Sequence, residues 1–288
     1  MGSAFIRPAG RWARRLVLAA CLAAGAGLPV MAEAPQRVVS MNLCTDQLAM
    51  LLAAPGQLVS VSHLAQDPQS STMVEEAAAY PVNHGLAEEI YRLRPDLVLA
   101  GAYTTQASVA MLRRLDIPVE IFPPEAEFDA IRTNLRRMGA LLGREAEAEA
   151  QIAAFDAGLA ALADDIATRP RAAVYQANGY TTGNNSLAGQ ILLAAGLDNI
   201  AAEVGLTGGG ILALEQLVLA NPDLLVRGRR YGGASRSEEI LDHPAVTLLA
   251  ERAGQAVIAD HDWVCGTPRI LGAIARLRAA RLGLEGGS

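Results

Sequence analysis

The chain has 288 residues, of which 51% are hydrophobic and only 4% aromatic, and its formal charge is -6. This length accommodates two lobes of about 120 residues, each able to bury its own core. The acidic balance excludes the basic surface expected of a nucleic-acid-binding protein.

The first 34 residues have the pattern of a secretory signal peptide. Four arginines precede an apolar run at 16–31, and Ala32 and Ala34 form an Ala-x-Ala cleavage motif. The run is marginal for a membrane span, and no other run approaches that length. Residues 18–21 also fit a lipoprotein box ending at Cys21, so both processing routes stay open. We expect a soluble periplasmic protein in preference to a lipid-anchored one.

Strands alternate with helices between the leader and residue 127. We predict strands at 37–41, 58–62, 97–100 and 118–122, and helices at 46–54, 73–79, 88–94 and 105–115. Thr45 is the predicted N-cap of the first helix. This alternation predicts a parallel sheet with helices on both faces.

Two helical runs follow, at 128–142 and 144–167, with apolar residues spaced by three and four. At 1.5 Å per residue the second helix would be roughly 35 Å long. A helix of that length predicts a spine that limits movement between two lobes.

The pattern of alternating strands and helices then resumes. We predict strands at 171–175, 224–227 and 256–259 and helices at 187–195 and 270–281, and we interpret the glycines at 208–210 as a flexible loop. The predicted fold class is α/β, with two Rossmann-like lobes joined by one long helix and a ligand cleft between them. The expected parts are a signal peptide (1–34), an N-terminal lobe (35–127), linking helices (128–168) and a C-terminal lobe (169–288).

One sequence pattern occurs twice, 127 positions apart. Residues 88–101 and 215–228 share Glu, Pro, Asp, Leu and Gly at equal offsets. Each copy predicts a short helix that begins near Glu and is stopped by Pro, then an Asp turn and a buried strand. The duplication predicts two similar lobes, with Glu88 and Glu215 in equivalent positions.

Motifs of common enzymes and metal proteins are absent from the sequence. It contains no Walker loop, Gly-x-Ser-x-Gly elbow or His-Glu-x-x-His motif, and its four histidines, at 63, 84, 243 and 261, lack the spacing of a metal site. Carboxylates are plentiful, but no acid and base pair stands out. We therefore predict neither an enzyme nor a direct metal site.

Polar and aromatic residues gather where the predicted strands end, the edge at which open α/β sheets bind ligands. In the first lobe these residues are Asn42, Cys44, His63 and Tyr103, and in the second they are Tyr180, Asn184, Arg229, Arg230, Tyr231 and Trp263. Aromatic rings suit a flat, partly apolar ligand, and arginines suit anionic groups. Facing lobes would place both sets around one cleft.

Two cysteines remain once the leader is removed. In an oxidising compartment Cys44 and Cys265 either form a disulfide between distant parts of the chain or stay as buried thiols.

Several of these features together resemble the periplasmic binding proteins of ABC importers for ferric siderophores, haem and vitamin B12. They are the leader, the Arg37-Val-Val-Ser40 strand, the paired Glu-x7-Asp phrases, the linking helix and the Asp262-Trp-x4-Pro-Arg269 ending. The resemblance covers residues 37–282. It implies that Glu88 and Glu215 dock on the two permease subunits of an inner-membrane importer. It also implies a monomeric carrier without a covalent cofactor, whose cargo is a cobalt- or iron-containing chelate, a corrinoid or ferric siderophore in preference to haem.

Three alternatives remain open at this stage. A Zn or Mn binding protein of the same architecture requires about three ligands at one point, for example His63, His84 and a carboxylate. An exported α/β hydrolase would use Asp and His from the cleft. A purely structural partner-binding protein predicts no enclosed cleft.

Overall fold

The computed structural model describes residues 1–2, 33–230 and 235–285. The chain divides between Ala34 and Pro35 into two units, and the second contains all helices and strands given below. None of the helices in the described ranges is long and apolar enough to cross a membrane. The predicted signal peptide, including Cys21, falls outside the described residues.

The first sheet has five parallel strands in the order β3-β2-β1-β4-β5. They are β1 (Val38–Ser40), β2 (Leu58–Ser62), β3 (Val82–Asn83), β4 (Leu97–Gly101) and β5 (Val119–Phe122). The helices between them are α1 (Leu43–Leu52), α2 (Val74–Ala77), α3 (Ala87–Arg92) and α4 (Gln106–Arg114). The strand order reverses beside β1, where doubly wound sheets form their binding crevice.

Helices cover both faces of this sheet, as predicted. Along β4, Leu97 and Leu99 join the core that includes α1, whereas Val98 and Ala100 join a separate core with α3 and α4. Side chains on a strand alternate between faces, so fully buried strands need apolar residues at every position.

Two helices link the sheets, α5 (Phe128–Leu142) and α6 (Glu145–Leu162). Gly143, with φ +66°, ends α5 in the left-handed conformation that glycine adopts easily. With 18 residues, α6 is about 27 Å long. The prediction of a helix to residue 167 was wrong, because the chain becomes extended at Ala163 and Asp164 then pairs with Arg278 of the last helix.

The second sheet has four parallel strands in the order β11-β10-β6-β8, beside a two-stranded antiparallel pair, β7 and β9. The strands are β6 (Arg171–Val174), β7 (Tyr180–Thr182), β8 (Asp198–Asn199), β9 (Gly209–Ile211), β10 (Leu224–Gly228) and β11 (Gly254–Ile258). The helices are α7 (Leu187–Ala194), α8 (Ile200–Glu203), α9 (Leu214–Ala220), α10 (Pro244–Arg252) and α11 (Leu271–Glu285).

The glycine-rich stretch at 208–210 is not the flexible loop that was predicted. Gly209 and Gly210 belong to β9 and pair with Thr182 and Thr181 of β7. A Cβ at Gly209 would collide with the hydroxyl of Tyr180, so a larger residue at this position would require the tyrosine side chain to move.

The duplicated pattern has the same geometry in both lobes. Arg94 and Asn221, in equivalent positions before proline, have φ of +48° and +46°. In the first lobe, the carboxylate of Asp96 accepts a hydrogen bond of 2.9 Å from the backbone N of Arg37.

In the second lobe, Asp223 accepts a hydrogen bond of 2.7 Å from the backbone N of Arg171. The Arg171 side chain also donates to the carbonyl of Ala220 at 2.8 Å, as Arg37 donates to that of Leu93 at 2.7 Å. Each arginine therefore satisfies carbonyl groups that the end of its helix leaves free. The prediction of two similar α/β lobes is confirmed.

One hydrophobic core runs through both sheets and the helices between them. It contains Val38 of β1, Phe155 of α6, Val174 of β6 and Ile274 of α11. Because the two lobes share this core, their separation would expose apolar surface, and large opening movements are disfavoured.

Candidate functional site

A cavity of about 310 Å³ lies at the carboxyl ends of β1, β4 and β5. Its lining comes from the start of α1, the segments that follow β4 and β5, and one residue near the C-terminus. These residues are Asn42, Leu43, Cys44, Thr45, Leu48, Leu64, Gly101, Ala102, Tyr103, Phe122, Pro123, Pro124, Glu125 and Val264. The mostly apolar lining and the position at the carboxyl edge make this the candidate ligand site.

Two larger hollows lie at the opposite edges of the sheets. One, of about 610 Å³, is beside Pro222 and Gly254, and the other, of about 560 Å³, is beside Arg94 and Pro95. Both adjoin the amino ends of strands, where parallel sheets do not form their binding crevices. Size alone therefore does not identify the site.

Asn42 shapes the site through the start of α1. Its side-chain oxygen accepts a hydrogen bond of 3.1 Å from the backbone N of Cys44, so Asn42 is the N-cap and the prediction of Thr45 was wrong. A Cβ at Gly101 would lie 2.7 Å from the Asn42 side chain, which requires glycine at the end of β4. The helix start and the strand end thus meet in close contact at the cavity.

A disulfide joins Cys44 and Cys265, which are 221 residues apart in the sequence. It holds residues 264–269, which we call the strap, against the first lobe and places Val264 in the cavity wall. The strap is also held by a hydrogen bond of 3.3 Å between Thr267 and Gln47 and by an ion pair between Arg269 and Glu76. One wall of the cavity therefore comes from the end of the chain.

A buried carboxylate, Asp46, connects helix α1 to the end of strand β2. The carboxylate of Asp46 is fully buried and accepts hydrogen bonds from the backbone N of Ser62 at 3.1 Å and from its hydroxyl at 2.5 Å. Burial raises the pKa of Asp46 to about 6, against the lowering effect of these hydrogen bonds.

Sequence reasoning missed Glu125, which lines the cavity and is only 9% exposed. Its carboxylate accepts hydrogen bonds from Asn134 at 2.5 Å and from the backbone N of Gly266 at 3.3 Å. Burial raises the pKa of this carboxyl group. Its position three residues after the strand at 118–122 placed it near the ligand edge, but the local pattern did not show that distant residues would bury it.

Three residues predicted in the first lobe meet at the cavity. Asn42, Cys44 and Tyr103 all line it, and Tyr103 is 88% exposed. Each follows a strand of the first sheet, which is the reason that the sequence pointed to them.

The fourth predicted residue of that lobe, His63, lies instead against His84, with ring centroids 5.0 Å apart. The Nδ1 of His84 lies 3.2 Å from a carboxylate oxygen of Glu89. No group of three His, Cys, Asp or Glu in the described ranges is placed to hold a metal ion. Within those ranges the structure thus offers no support for the Zn or Mn alternative.

The residues predicted in the second lobe, as far as the structure describes them, do not line this cavity. Trp263 is 9% exposed and belongs to the hydrophobic core, so most of its ring packs against other residues of the protein. Tyr180 is 41% exposed beside β9, and Arg229 lines a separate hollow of about 190 Å³. Asn184 has a buried side-chain oxygen without a hydrogen-bond partner in the described structure.

Two further residues of the predicted set remain. Arg230 forms an ion pair with Asp242 at 2.6 Å, and Tyr231 lies outside the described residues.

Glu88 and Glu215 are exposed and lie in the first turns of α3 and α9. Neither carboxylate has a hydrogen bond or ion pair with another residue of the described ranges. Each helix leads into the amino end of a parallel strand, so its first turn lies toward the carboxyl edge of its sheet. Glu88 and Glu215 therefore each lie toward the carboxyl edge of the sheet in their own lobe.

Comparisons with known proteins agree with this architecture. The family model described as "Periplasmic binding protein" matches residues 38–261. A cobalamin-binding protein of Halobacterium salinarum is 32% identical over 222 residues, which are 75% of this chain but only 58% of that protein. The chain thus spans less than two thirds of that relative.

Two other proteins are similar over more of their length. A vitamin B12-binding protein of Yersinia pestis is 24% identical over 257 residues, covering 87% of this chain and 88% of that protein. The structure of the periplasmic heme-binding protein RhuT from Roseiflexus sp. RS-1 in apo form has a TM-score of 0.70 at 24% identity, covering 86% of this chain and 98% of that one. This structural likeness supports the two-lobe fold.

Proposed function

The chain belongs to the periplasmic binding protein family, and from this premise we propose that it captures a corrinoid and delivers it to an ABC importer in the inner membrane. Two similar proteins carry names that refer to cobalamin or vitamin B12. The observation that carries the proposal is the cavity at the carboxyl edge of the first sheet, with apolar walls and the exposed ring of Tyr103. Burial of an apolar ring system would supply most of the binding free energy.

We assign the first contacts with the ligand to Asn42, Tyr103 and the wall formed by the Cys44 disulfide. Tyr180, Asn184 and Arg229 are proposed to face the ligand from the second lobe. No covalent cofactor is required, because the metal arrives as part of the ligand.

The partner is proposed to be the permease dimer of the importer. Glu88 and Glu215 suit this role because they are exposed, unpaired and carried by equivalent helices of two lobes. Two separate charged contacts fix the orientation of the carrier while each contributes about 1 kcal/mol or less. Weak docking allows the carrier to leave after delivery.

We also propose how the chain is cleaved on export and how the mature protein is organised into lobes. Residues 1–34 would direct export to the periplasm and be removed. The mature protein would act as a monomer with lobes at 35–127 and 169–288, joined by the helices at 128–168.

A thermal-shift panel on the mature chain tests the ligand class. We expect cobalamin and cobinamide to raise the melting temperature, since a ligand at 100 times its Kd adds about 2.7 kcal/mol to the free energy of unfolding. Haem and several ferric siderophores serve as competitors in the same panel. A shift with a siderophore and none with either corrinoid would contradict the proposal.

Haem is the second candidate, and the exposure of Tyr103 favours it. A tyrosine oxygen is an established ligand of haem iron, and this side chain stands at the mouth of an apolar cavity. If haem is the cargo, Tyr103→Phe should abolish the change in the haem absorption spectrum on binding. If the cargo is a corrinoid, the same variant should retain most of its affinity because the aromatic ring remains.

A further inference from the structure

The geometry points to Glu125 as the residue that selects a ligand with amide side groups over the same ligand with carboxylates. This inference rests on the proposed function and deepens it, because it names the chemical class of corrinoid that the site accepts.

Glu125 is held in a fixed position in the cavity wall. Asn134 of α5 donates to one carboxylate oxygen at 2.5 Å, and the backbone N of Gly266 donates to the other at 3.3 Å. A Cβ at Gly266 would lie 2.5 Å from the Glu125 side chain, so the strap packs directly on this residue. The disulfide at Cys265 fixes the strap in turn. The carboxylate is therefore organised before a ligand arrives.

The carboxylate still has capacity to accept hydrogen bonds. Its two oxygens offer about four lone-pair sites, and Asn134, Gly266 and the backbone N–H of Glu125 itself donate to it, which leaves about one site for a ligand. A ligand amide N–H at the cavity wall can therefore donate to Glu125. A hydrogen bond with a charged acceptor is stronger than one between neutral groups.

A ligand carboxylate would meet the opposite situation. None of the residues that line the cavity is Arg, Lys or His. Arg229, which the sequence suggested for anionic groups, lines a different hollow. A ligand carboxylate beside Glu125 would thus be a second negative charge in an apolar wall that has no cation of its own, because Arg229 is proposed to contact the ligand from the second lobe and does not line this wall.

The raised pKa of Glu125 agrees with the expected exclusion of a ligand carboxylate. Burial raises the pKa of its carboxyl group, which shows that the wall already disfavours one negative charge. A second charge is disfavoured further by repulsion at short range.

Two corrinoids with the same ring test the inference, and the mature disulfide-bonded chain is the protein used. Cobinamide carries amides around the ring, and cobyrinic acid carries carboxylates at the corresponding positions. In calorimetric titrations we expect the wild-type protein to bind dicyanocobinamide at least tenfold more tightly than dicyanocobyrinic acid. Equal affinities would overturn the inference, and this comparison does not depend on the folding of any variant.

Glu125→Gln tests the residue directly. Glutamine keeps the size of the side chain and an oxygen that accepts from Gly266, but it removes the charge. The preference for the amide form should fall at least threefold, mainly because the carboxylate form binds better. Glu127→Gln, an exposed neighbour that does not line the cavity, is the matched control and should leave the preference unchanged.

The outcomes separate the two proposals. If cobinamide binds and Glu125→Gln leaves the preference unchanged, only the role of Glu125 is wrong. If neither corrinoid binds, the proposed ligand class is wrong, and the role of Glu125 falls with it.

Discussion

Asp46 and Glu125 are buried carboxyl groups in segments that contribute to the candidate ligand cavity: Asp46 in α1, and Glu125 in the wall itself. Both have a raised pKa, because burial disfavours the charged form more than their hydrogen bonds favour it. Each fixes a segment of the wall: Asp46 orients α1 against β2, and Glu125 orients the strap against α5. In their ionised form these buried groups lower the free energy of unfolding, but their hydrogen bonds hold the wall of the site in place.

Asp46→Asn should stabilise the protein at neutral pH. The folded-state pKa of Asp46 is about 6, above the ordinary value of 3.8, so its favourable contribution is complete below pH 3.8 and is lost as the pH rises through 6. The difference between these values corresponds to about 3 kcal/mol. In urea unfolding, the stability of the variant relative to wild type should rise by up to that amount between pH 4 and 7.5.

Asparagine keeps an oxygen that can accept from the backbone N of Ser62, and its amide can donate to the Ser62 hydroxyl. Asp46→Ala is the control, because it leaves the buried N–H of Ser62 without an acceptor. This control should be less stable than Asp46→Asn at every pH. A constant difference between wild type and Asp46→Asn across the pH range would contradict the assignment.

At this scale the sequence predicted the part of the site that depends on strand ends. Asn42 and Tyr103 were found because each follows a buried strand of the first sheet. Glu125 was missed because nothing in a lone Glu after two prolines shows that distant residues will bury it. The burial of Trp263 was not predicted for a related reason, since the degree of burial depends on packing between segments far apart in the chain.

The repeated helix with its Pro-Asp turn is the element that orders both lobes. In each copy the turn residue before proline has a positive φ, and the aspartate fixes the first strand of the sheet. Glu88 and Glu215 are therefore displayed at equivalent points on two rigid supports. That equivalence is the physical reason for proposing a two-point contact of these residues with a dimeric permease.

Glu88→Gln and Glu215→Gln should each reduce ligand uptake through the importer about fivefold or less, while the ligand Kd stays within twofold of wild type. Each exposed charge pair contributes about 1 kcal/mol or less, and the two sites lie on separate lobes, so the effects should add in the double variant. Uptake by membrane vesicles and titration of the free protein measure the two quantities. A loss of ligand affinity would show that the docking assignment is wrong.

Glu75→Gln and Glu251→Gln are matched controls on the first and second lobes. Both residues are exposed, and neither has an ion pair with another described residue. Uptake by these variants should equal that of the wild-type protein.

Element types were predicted well where the apolar pattern was strong, as for α5 and the strands of the first sheet. The end of α6 was predicted five residues too late, because the apolar spacing continues through Ile166 although the backbone leaves the helix at Ala163. The strand β9 was missed because its glycines carry no side-chain pattern, and its partner β7 is not its neighbour in sequence.

At the scale of the whole molecule, a shared core and the strap join the lobes. The predicted membership of a periplasmic binding protein family is confirmed by the family model that matches residues 38–261. The two-lobe architecture followed from the duplication, but the position of the strap did not. Contacts between residues 221 positions apart leave no local pattern, and the pairing of Cys44 with Cys265 was one of two open outcomes.

Removal of the disulfide should lower the stability of the whole molecule. A bridge that closes a long loop contributes about 2–5 kcal/mol, which corresponds to a loss of roughly 5–20 °C in melting temperature for a protein of this size. Calorimetry of the Cys44→Ser, Cys265→Ser double variant measures the effect against the oxidised wild-type protein. Wild type treated with a reductant is the control and should match the double variant. An unchanged melting temperature in both would contradict the proposed contribution.

The separation of these cysteines also bears on the order in which the molecule matures. Cys44 is synthesised early, and its partner follows only after 221 further residues. In a chain that stops before position 265, the thiol of Cys44 therefore lacks its disulfide partner. This disulfide can form only after nearly all of the 288 residues have been synthesised.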